Sequence, residues 1–279
     1  MTMISYAQIG EDVLLRRVFP PHYAGFYVDV GANHPVHCSV TKHFYDSGWQ
    51  GVNVEPGAVF ADVRRHRTRD LNLNVAVSNK RSSLTFYEFP QSSALSTLSP
   101  EVASIHRDAG QKCVQRTVPV RTLADICDEH VGERTIDFMS IDVEGRELEV
   151  IQGADWGRFR PRVLLVEANG VEAWQPILLE NGYLRANFDG INVWFVRTED
   201  DHWLEPLRLP VTSADEYIAA PHLKGLVDCL EQFVDEGTIE QFSSASLKVG
   251  MKVAYHLRQT SRRFPRLASL ARRVTGRAA

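Results

Sequence analysis

Four short apolar runs in this sequence each end in an acid, and segments with helical spacing separate them. The four ends are Val28-Asp29, Val54-Glu55, Ile141-Asp142 and Val166-Glu167. Strands that alternate with helices pair in parallel and bury both faces of their sheet. The pattern therefore predicts an α/β fold with a doubly wound, mostly parallel sheet.

The helices expected between these strands cover residues 5–18, 37–47, 59–69, 123–130, 145–152 and 171–181, each with apolar residues three or four apart. Residues 71–77 read as a third strand of the same sheet, 84–89 as an extra strand, 114–120 as a further one and 135–141 as the strand that ends at Asp142. The Ser/Leu-rich stretch 91–100 reads as a loop, with the alternative of a lid. Asp189-Gly190 joins two alternating runs, 183–188 and 191–196, into an antiparallel hairpin. Beyond Thr198 the pattern turns helical and irregular. The expected organisation is one domain over 1–198 and a helical, basic C-terminal extension over 199–279.

In doubly wound sheets ligands bind at the carboxyl ends of the strands, near the point where strand order reverses. Acids can also cap the following helices, but four acids at four strand ends favour a site. The first turn, Asp29-Val30-Gly31-Ala32-Asn33, lacks the three glycines that let a backbone approach a pyrophosphate. S-adenosylmethionine has no phosphate. A carboxylate and a single tight glycine turn suit it better than they suit NAD, and an acid at Glu55 can take both ribose hydroxyls. An NAD-dependent oxidoreductase and a catalytically silent cofactor-binding module are the competing readings from other classes. The missing glycines speak against the first and the intact acids against the second.

The residues from Ser5 to about Arg197 resemble the FkbM family of methyltransferases. The resemblance rests on Tyr6-Ala7-Gln8-Ile9-Gly10-Glu11-Asp12, on Phe26 to Pro35, on Gly48 to Pro56, on Asn74 to Val77, on Leu95 to Leu98, on Val120 to Leu123 and on Ile136 to Gly145. It implies a Rossmann-like methyltransferase fold and transfer of a methyl group from S-adenosylmethionine to a hydroxyl oxygen. It leaves two acceptor classes, a sugar of a glycan or glycolipid and a polyketide or other small natural product; the basic C-terminal stretch favours the first, because such acceptors sit at membranes. Two positions depart from the family's pattern: His34 stands where Asp is usual, and Ser140 where Lys is usual.

The expected cofactor contacts are Gln8, Asp29, Gly31, Ala32, Asn33, Glu55, Pro56, Ala76, Val77 and Asp142. An alcohol proton leaves only with help from a base or a metal. His34, Asp142 and Glu144 are the catalytic candidates, His34 because it titrates near neutral pH. Asp142 and Glu167, with Glu144, offer oxygen ligands suited to Mg²⁺.

The cysteines, Cys38, Cys113, Cys127 and Cys229, show no C-x-x-C spacing and read as reduced thiols. With no signal-like start and no long apolar run, a cytoplasmic protein is expected. The net charge of −4 hides an asymmetry: residues 241–279 hold nine Lys and Arg and no Asp or Glu. These cations are interleaved with apolar residues, which points to peripheral contact with an anionic membrane. No aromatic ladder accompanies them, so nucleic acid is not an expected partner. The expected outcome in liposome co-sedimentation is that the full chain binds anionic vesicles and releases at high salt, whereas a chain ending at residue 240 stays in solution. Equal, negligible binding of both would remove the membrane from the reading.

Overall fold

The computed structural model describes residues 3–170 and 172–222, so the basic stretch 241–279 and Cys229 lie outside the described residues. Met3–Tyr217 forms one compact unit, and a second begins at Ile218. The sequence boundary at 198 thus falls inside the first unit. Residues 199–217 stay with it because Leu207, on a short helix Leu204–Arg208, is fully buried in the same apolar cluster as Leu14, Leu15 and Trp194.

The chain opens with β1 (Met3–Ser5) and α1 (Glu11–Val18). β2 (Phe26–Val30), α2 (Lys42–Asp46), β3 (Gln50–Val54), α3 (Phe60–His66) and β4 (Leu71–Leu73) follow. Next come β5 (Ala76–Val77), β6 (Ser82–Glu88), α4 (Pro100–Asp108), β7 (Val114–Arg121) and α5 (Leu123–His130). The last part runs β8 (Phe138–Ile141), α6 (Glu147–Gln152), β9 (Val163–Glu167), α7 (Gln175–Glu180), β10 (Tyr183–Phe188) and β11 (Asn192–Arg197).

The main sheet has seven strands in the order β10-β11-β9-β8-β2-β3-β4. Pairings from β9 through β4 are parallel, and β11 is antiparallel to both its neighbours. The expected α/β class, mostly parallel sheet and terminal hairpin are all present. Side chains alternate between two apolar layers, as period-two geometry requires. Val28, Val30, Met139, Ile141, Leu164 and Val166 pack with α5, α6 and α7 on one face. Tyr27, Phe138, Val163, Leu165 and Trp194 pack with α1 and α2 on the other.

Three elements differ from expectation. Helix α1 starts at Glu11 rather than near Ser5. Its first-turn acids hold the preceding segment in a turn: Asp12 accepts from Ser5 Oγ (2.6 Å) and Tyr6 N–H (2.8 Å), Glu11 accepts from Ile9 N–H (2.9 Å), and Gly10 takes φ 92°. The expected strand 71–77 divides. β4 joins the main sheet, whereas β5 pairs with β7 in a separate three-stranded sheet of order β5-β7-β6. Asn74 marks the break, since its side-chain amide donates to the carbonyls of Glu55 and Pro56 (2.8 and 3.2 Å). Helix α4 had no counterpart in the sequence reading. Ser99 caps it by accepting from Val102 N–H, and Pro100 begins it.

On the α2 side of the sheet, Asp29 is buried and accepts from Thr41 Oγ1 at 2.8 Å. Its register partner on β8 is the buried Ser140, so no lysine faces it there. Burial pushes the Asp29 carboxyl up to about 6; the Thr41 hydroxyl and Arg67 oppose the rise and Asp70 adds to it. A carboxyl whose folded pKa exceeds its unfolded value of about 4 destabilises the fold increasingly as pH rises through that interval. Asp29→Asn, which keeps an oxygen for Thr41, is expected to raise stability by about 2–3 kcal/mol above pH 7 and to change nothing below pH 4. Urea unfolding at both pH values checks this, and a gain that is the same at both would sink the electrostatic account.

Candidate active site

The strand order reverses between β2 and β8, and a cleft opens at their carboxyl ends, where such folds bind ligands. It encloses about 570 Å³ of empty space, its solvent-open mouth included. Gly31, Asn33, Glu55 and Pro56, the apolar Ala76, Val77 and Phe86, and Asp142, Val143 and Glu144 line it.

The first turn is built around close approach. Gly31 has φ 88°, and a Cβ there would lie 1.7 Å from the carbonyl oxygen of Asp142, so no side chain is tolerated. Gly31 and Ala32 N–H both donate to Val54 O (2.9 and 3.0 Å). Asn33, itself at φ 43°, donates its N–H to Glu55 Oε2 (2.9 Å), and Gly57 N–H donates to Glu55 Oε1 (2.6 Å). Glu55 is buried, and burial pushes its carboxyl up to about 7 against the pull of those two N–H donors. An acid held this way keeps lone pairs for two further hydroxyl donors.

At the ends of β8 and β9, Asp142, Glu144 and Glu167 bring carboxylate oxygens within 4.8 Å of one another. Asp142 is open to the cleft but walled by protein. Confinement, followed by the charges of Glu167 and Glu144, drives its carboxyl well above the usual range. Burial first, then Glu167 and Glu147, pushes Glu144 up to about 8. Crowding of this kind favours the protonated forms of Asp142 and Glu144, and a cation brought among them would oppose that shift.

Of the expected cofactor residues, Gly31, Asn33, Glu55, Pro56, Ala76, Val77 and Asp142 line the cleft. Ala32 supports it through its backbone, and Asp29 lies beneath it against Thr41. Gln8 is exposed in the turn before α1 and is not among the residues that line the cleft. The catalytic candidates Asp142 and Glu144 and the metal candidates Asp142 and Glu167 come together. His34 does not join them. Its Nδ1 accepts from the N–H groups of Val36 and His37 (both 3.0 Å), which puts the proton of the neutral ring on Nε2. A ring in that state caps a turn and has no lone pair left to take a hydroxyl proton. Phe86, Ser93, Ala94, Ser96 and Leu98 also line the cleft and were missed. They come from the segment outside the main sheet, where strand-end logic gives no signal.

A doubly wound sheet with a buried acid after its second strand and a pocket at the strand ends has the ligand-binding layout of many α/β enzymes. The chain belongs to the FkbM methyltransferase family: the model of the Methyltransferase FkbM domain matches residues 29–203. It is similar to Methyltransferase sdnD of Sordaria araneosa, 29% identical over 181 residues that cover 54% of this chain and 67% of that protein. Among solved structures, precorrin-6y C5,15-methyltransferase from Geobacter metallireducens GS-15 aligns with a TM-score of 0.32 at 9% identity, over 67% of this chain and 85% of that one.

The capping role of His34 has a direct consequence. His34→Ala is expected to cost about 1 kcal/mol of stability, the scale of a lost cap, and to leave turnover within about three-fold of the parent. A loss of about 100-fold in turnover at unchanged stability would return His34 to the chemistry.

Proposed function

We propose that this methyltransferase uses S-adenosylmethionine to methylate a hydroxyl oxygen, and that the acceptor is a sugar of a glycan or glycolipid. The observation that carries the donor assignment is the state of the first turn. The N–H groups of Gly31, Ala32 and Asn33 are all spent on protein acceptors. None is aimed at a pyrophosphate, and the acids around the cleft repel one. A sulfonium and an ammonium are attracted by the same acids, and a ribose finds Glu55.

The acceptor would enter beside Asp142, Glu144 and Glu167, whose oxygens accept hydroxyl protons readily, as polyol recognition requires. In the reaction the acceptor oxygen attacks the donor methyl carbon in line, the carbon–sulfur bond breaks, and the sulfur leaves as a neutral thioether. The hydroxyl proton passes to Glu144, whose raised affinity for a proton suits a base working near pH 7–8. The oxygen-only donor set of Asp142, Glu144 and Glu167 also fits a hard divalent cation. Bound there, Mg²⁺ would lower the pKa of the acceptor hydroxyl. No helix among the described residues is long and apolar enough to cross a membrane, so contact with a lipid-linked acceptor would fall to the basic residues of 241–279.

Titration calorimetry with S-adenosylhomocysteine tests the donor. Glu55→Ala is expected to weaken binding by about 1–3 kcal/mol, the value of charge-assisted hydrogen bonds. Glu144→Gln should bind nearly normally and lose about 100-fold in turnover. Loss of activity on chelation, with recovery on adding Mg²⁺, would give the acidic trio to the cation. Binding of NADH in place of the sulfur compound would overturn the reading.

A further inference from the structure

The segment between β6 and α4 is fixed more firmly than a connection needs to be. Phe89 is fully buried, and its N–H donates to Ser96 Oγ at 3.1 Å. Thr97 exchanges backbone hydrogen bonds with Tyr87 in both directions (2.9 and 3.1 Å). The Thr97 hydroxyl, in a residue with 0% exposure, donates to the carbonyl of Glu144 at 2.7 Å and accepts from Ser99 N–H at 2.8 Å. Four residues earlier, in the short 3-10 turn Ser93–Leu95, Ser93 Oγ donates to Asn33 Oδ1 at 2.8 Å. Ala94 and Ser96, between those two anchors, line the cleft, as do Ser93 itself and Leu98 just beyond Thr97.

The segment is therefore a strap along the cleft, tied at Ser93 to Asn33 and at Thr97 to Glu144. Its anchors are the two non-glycine residues with positive φ that line the cleft, Asn33 (43°) and Glu144 (55°). Each also carries a part of the site: Asn33 N–H holds Glu55, and the Glu144 carboxyl belongs to the acidic trio. The two attachments differ in strength. The Thr97 end has two backbone bonds and a buried hydroxyl that both donates and accepts. The Ser93 end has one side-chain bond at a half-buried position.

We propose that the strap Ser93–Leu98 is a gate over the donor cleft, latched by the Ser93–Asn33 hydrogen bond and hinged at Thr97. Ser93 sets how fast the donor enters and its product leaves. Thr97 is a positioning residue that holds the Glu144 turn. The assignment of the ligand rests on the S-adenosylmethionine reading above; the gate itself rests on the contacts of the strap.

Two measurements on the full chain separate those claims. In surface plasmon resonance with S-adenosylhomocysteine, Ser93→Ala is expected to raise the association and dissociation rates together, each about five-fold, as loss of one ordinary hydrogen bond allows, with Kd changed less than about three-fold. Thr97→Val should leave those rates near the parent's and lower kcat about ten-fold at an unchanged donor KM, and Thr97→Ser, which restores the hydroxyl, should recover it. Hydrogen exchange of the ligand-free chain needs no donor at all. There Ser93→Ala should speed exchange over residues 91–96 several-fold and leave 97–99 as protected as in the parent. Failure of the parent to bind S-adenosylhomocysteine would overturn the donor reading, with the exchange experiment still deciding the gate. Parental ligand rates, or parental protection over 91–96, in Ser93→Ala would overturn the gate.

Discussion

The guanidinium of Arg67 holds the site's foundation in place. It is 1% exposed at the end of α3, and its Nε and Nη2 both donate to Pro35 O (3.1 and 2.8 Å). It also donates to Ser39 Oγ (2.7 Å) and Tyr27 OH (3.2 Å), while Tyr27 OH donates to Asp70 at 2.6 Å. Asp70 in turn accepts from Gly51 N–H and the Asn53 amide, both at 3.0 Å. One cation thus ties together the loop after the first turn, two central strands and the end of α3. Removing a partner from such a buried charged network typically costs about 3–5 kcal/mol, because what remains is charged and unpaired. The first turn could not keep its close approach to β8 if the loop that follows it were loose.

That close approach explains where the acids end up. Gly31 lies against the Asp142 carbonyl, so the β2 turn and the β8 turn share one position in space. Glu147 then accepts from Val143 and Gly145 N–H (3.2 and 3.1 Å), which bends the chain so that Glu144 takes φ 55° and faces the cleft. The fold tolerates crowded carboxyls and left-handed backbone here, and both are expensive in isolation. Asp142, Glu144 and Glu167 gather at this end of the sheet, and such clusters of crowded acids are common at functional sites.

The sheet was legible because its strands are buried on both faces and end in acids, so apolar runs and their terminal residues stand out one at a time. Glu55, Asp142 and Glu167 stood out on that logic, and Glu144 as the acid two residues past one of those ends. What was not legible depends on partners far away in sequence. Nothing local tells that Asn74 will divide an apolar run between two sheets, or that Asp12 will hold Ser5 and Tyr6 out of a helix. His34 sits next to the cofactor turn and has a suitable pKa by type, yet two backbone N–H groups two and three residues on decide its role. Ser93 and Thr97 lie in a stretch that reads as polar and loop-like. Their meaning comes only from Asn33 and Glu144, sixty and forty-seven residues away.

The electrostatics of the cleft also bear on the order of events. Burial and neighbouring carboxylates push Glu144 up to about 8 and Asp142 in the same direction, so in the reaction proposed above the base would be masked before the donor binds. A sulfonium brought into the cleft lowers the cost of ionising the acids beside it. Donor binding would therefore unmask the base only when there is a methyl group to transfer. On the proposed donor, transfer would turn the sulfonium into a neutral thioether and remove that stabilisation. The acids then regain their protons, and their attraction for the product is weaker than it was for the donor. A cluster of acids that is costly to the resting fold would thereby favour the charged donor over its neutral product, which is the direction a repeated cycle needs.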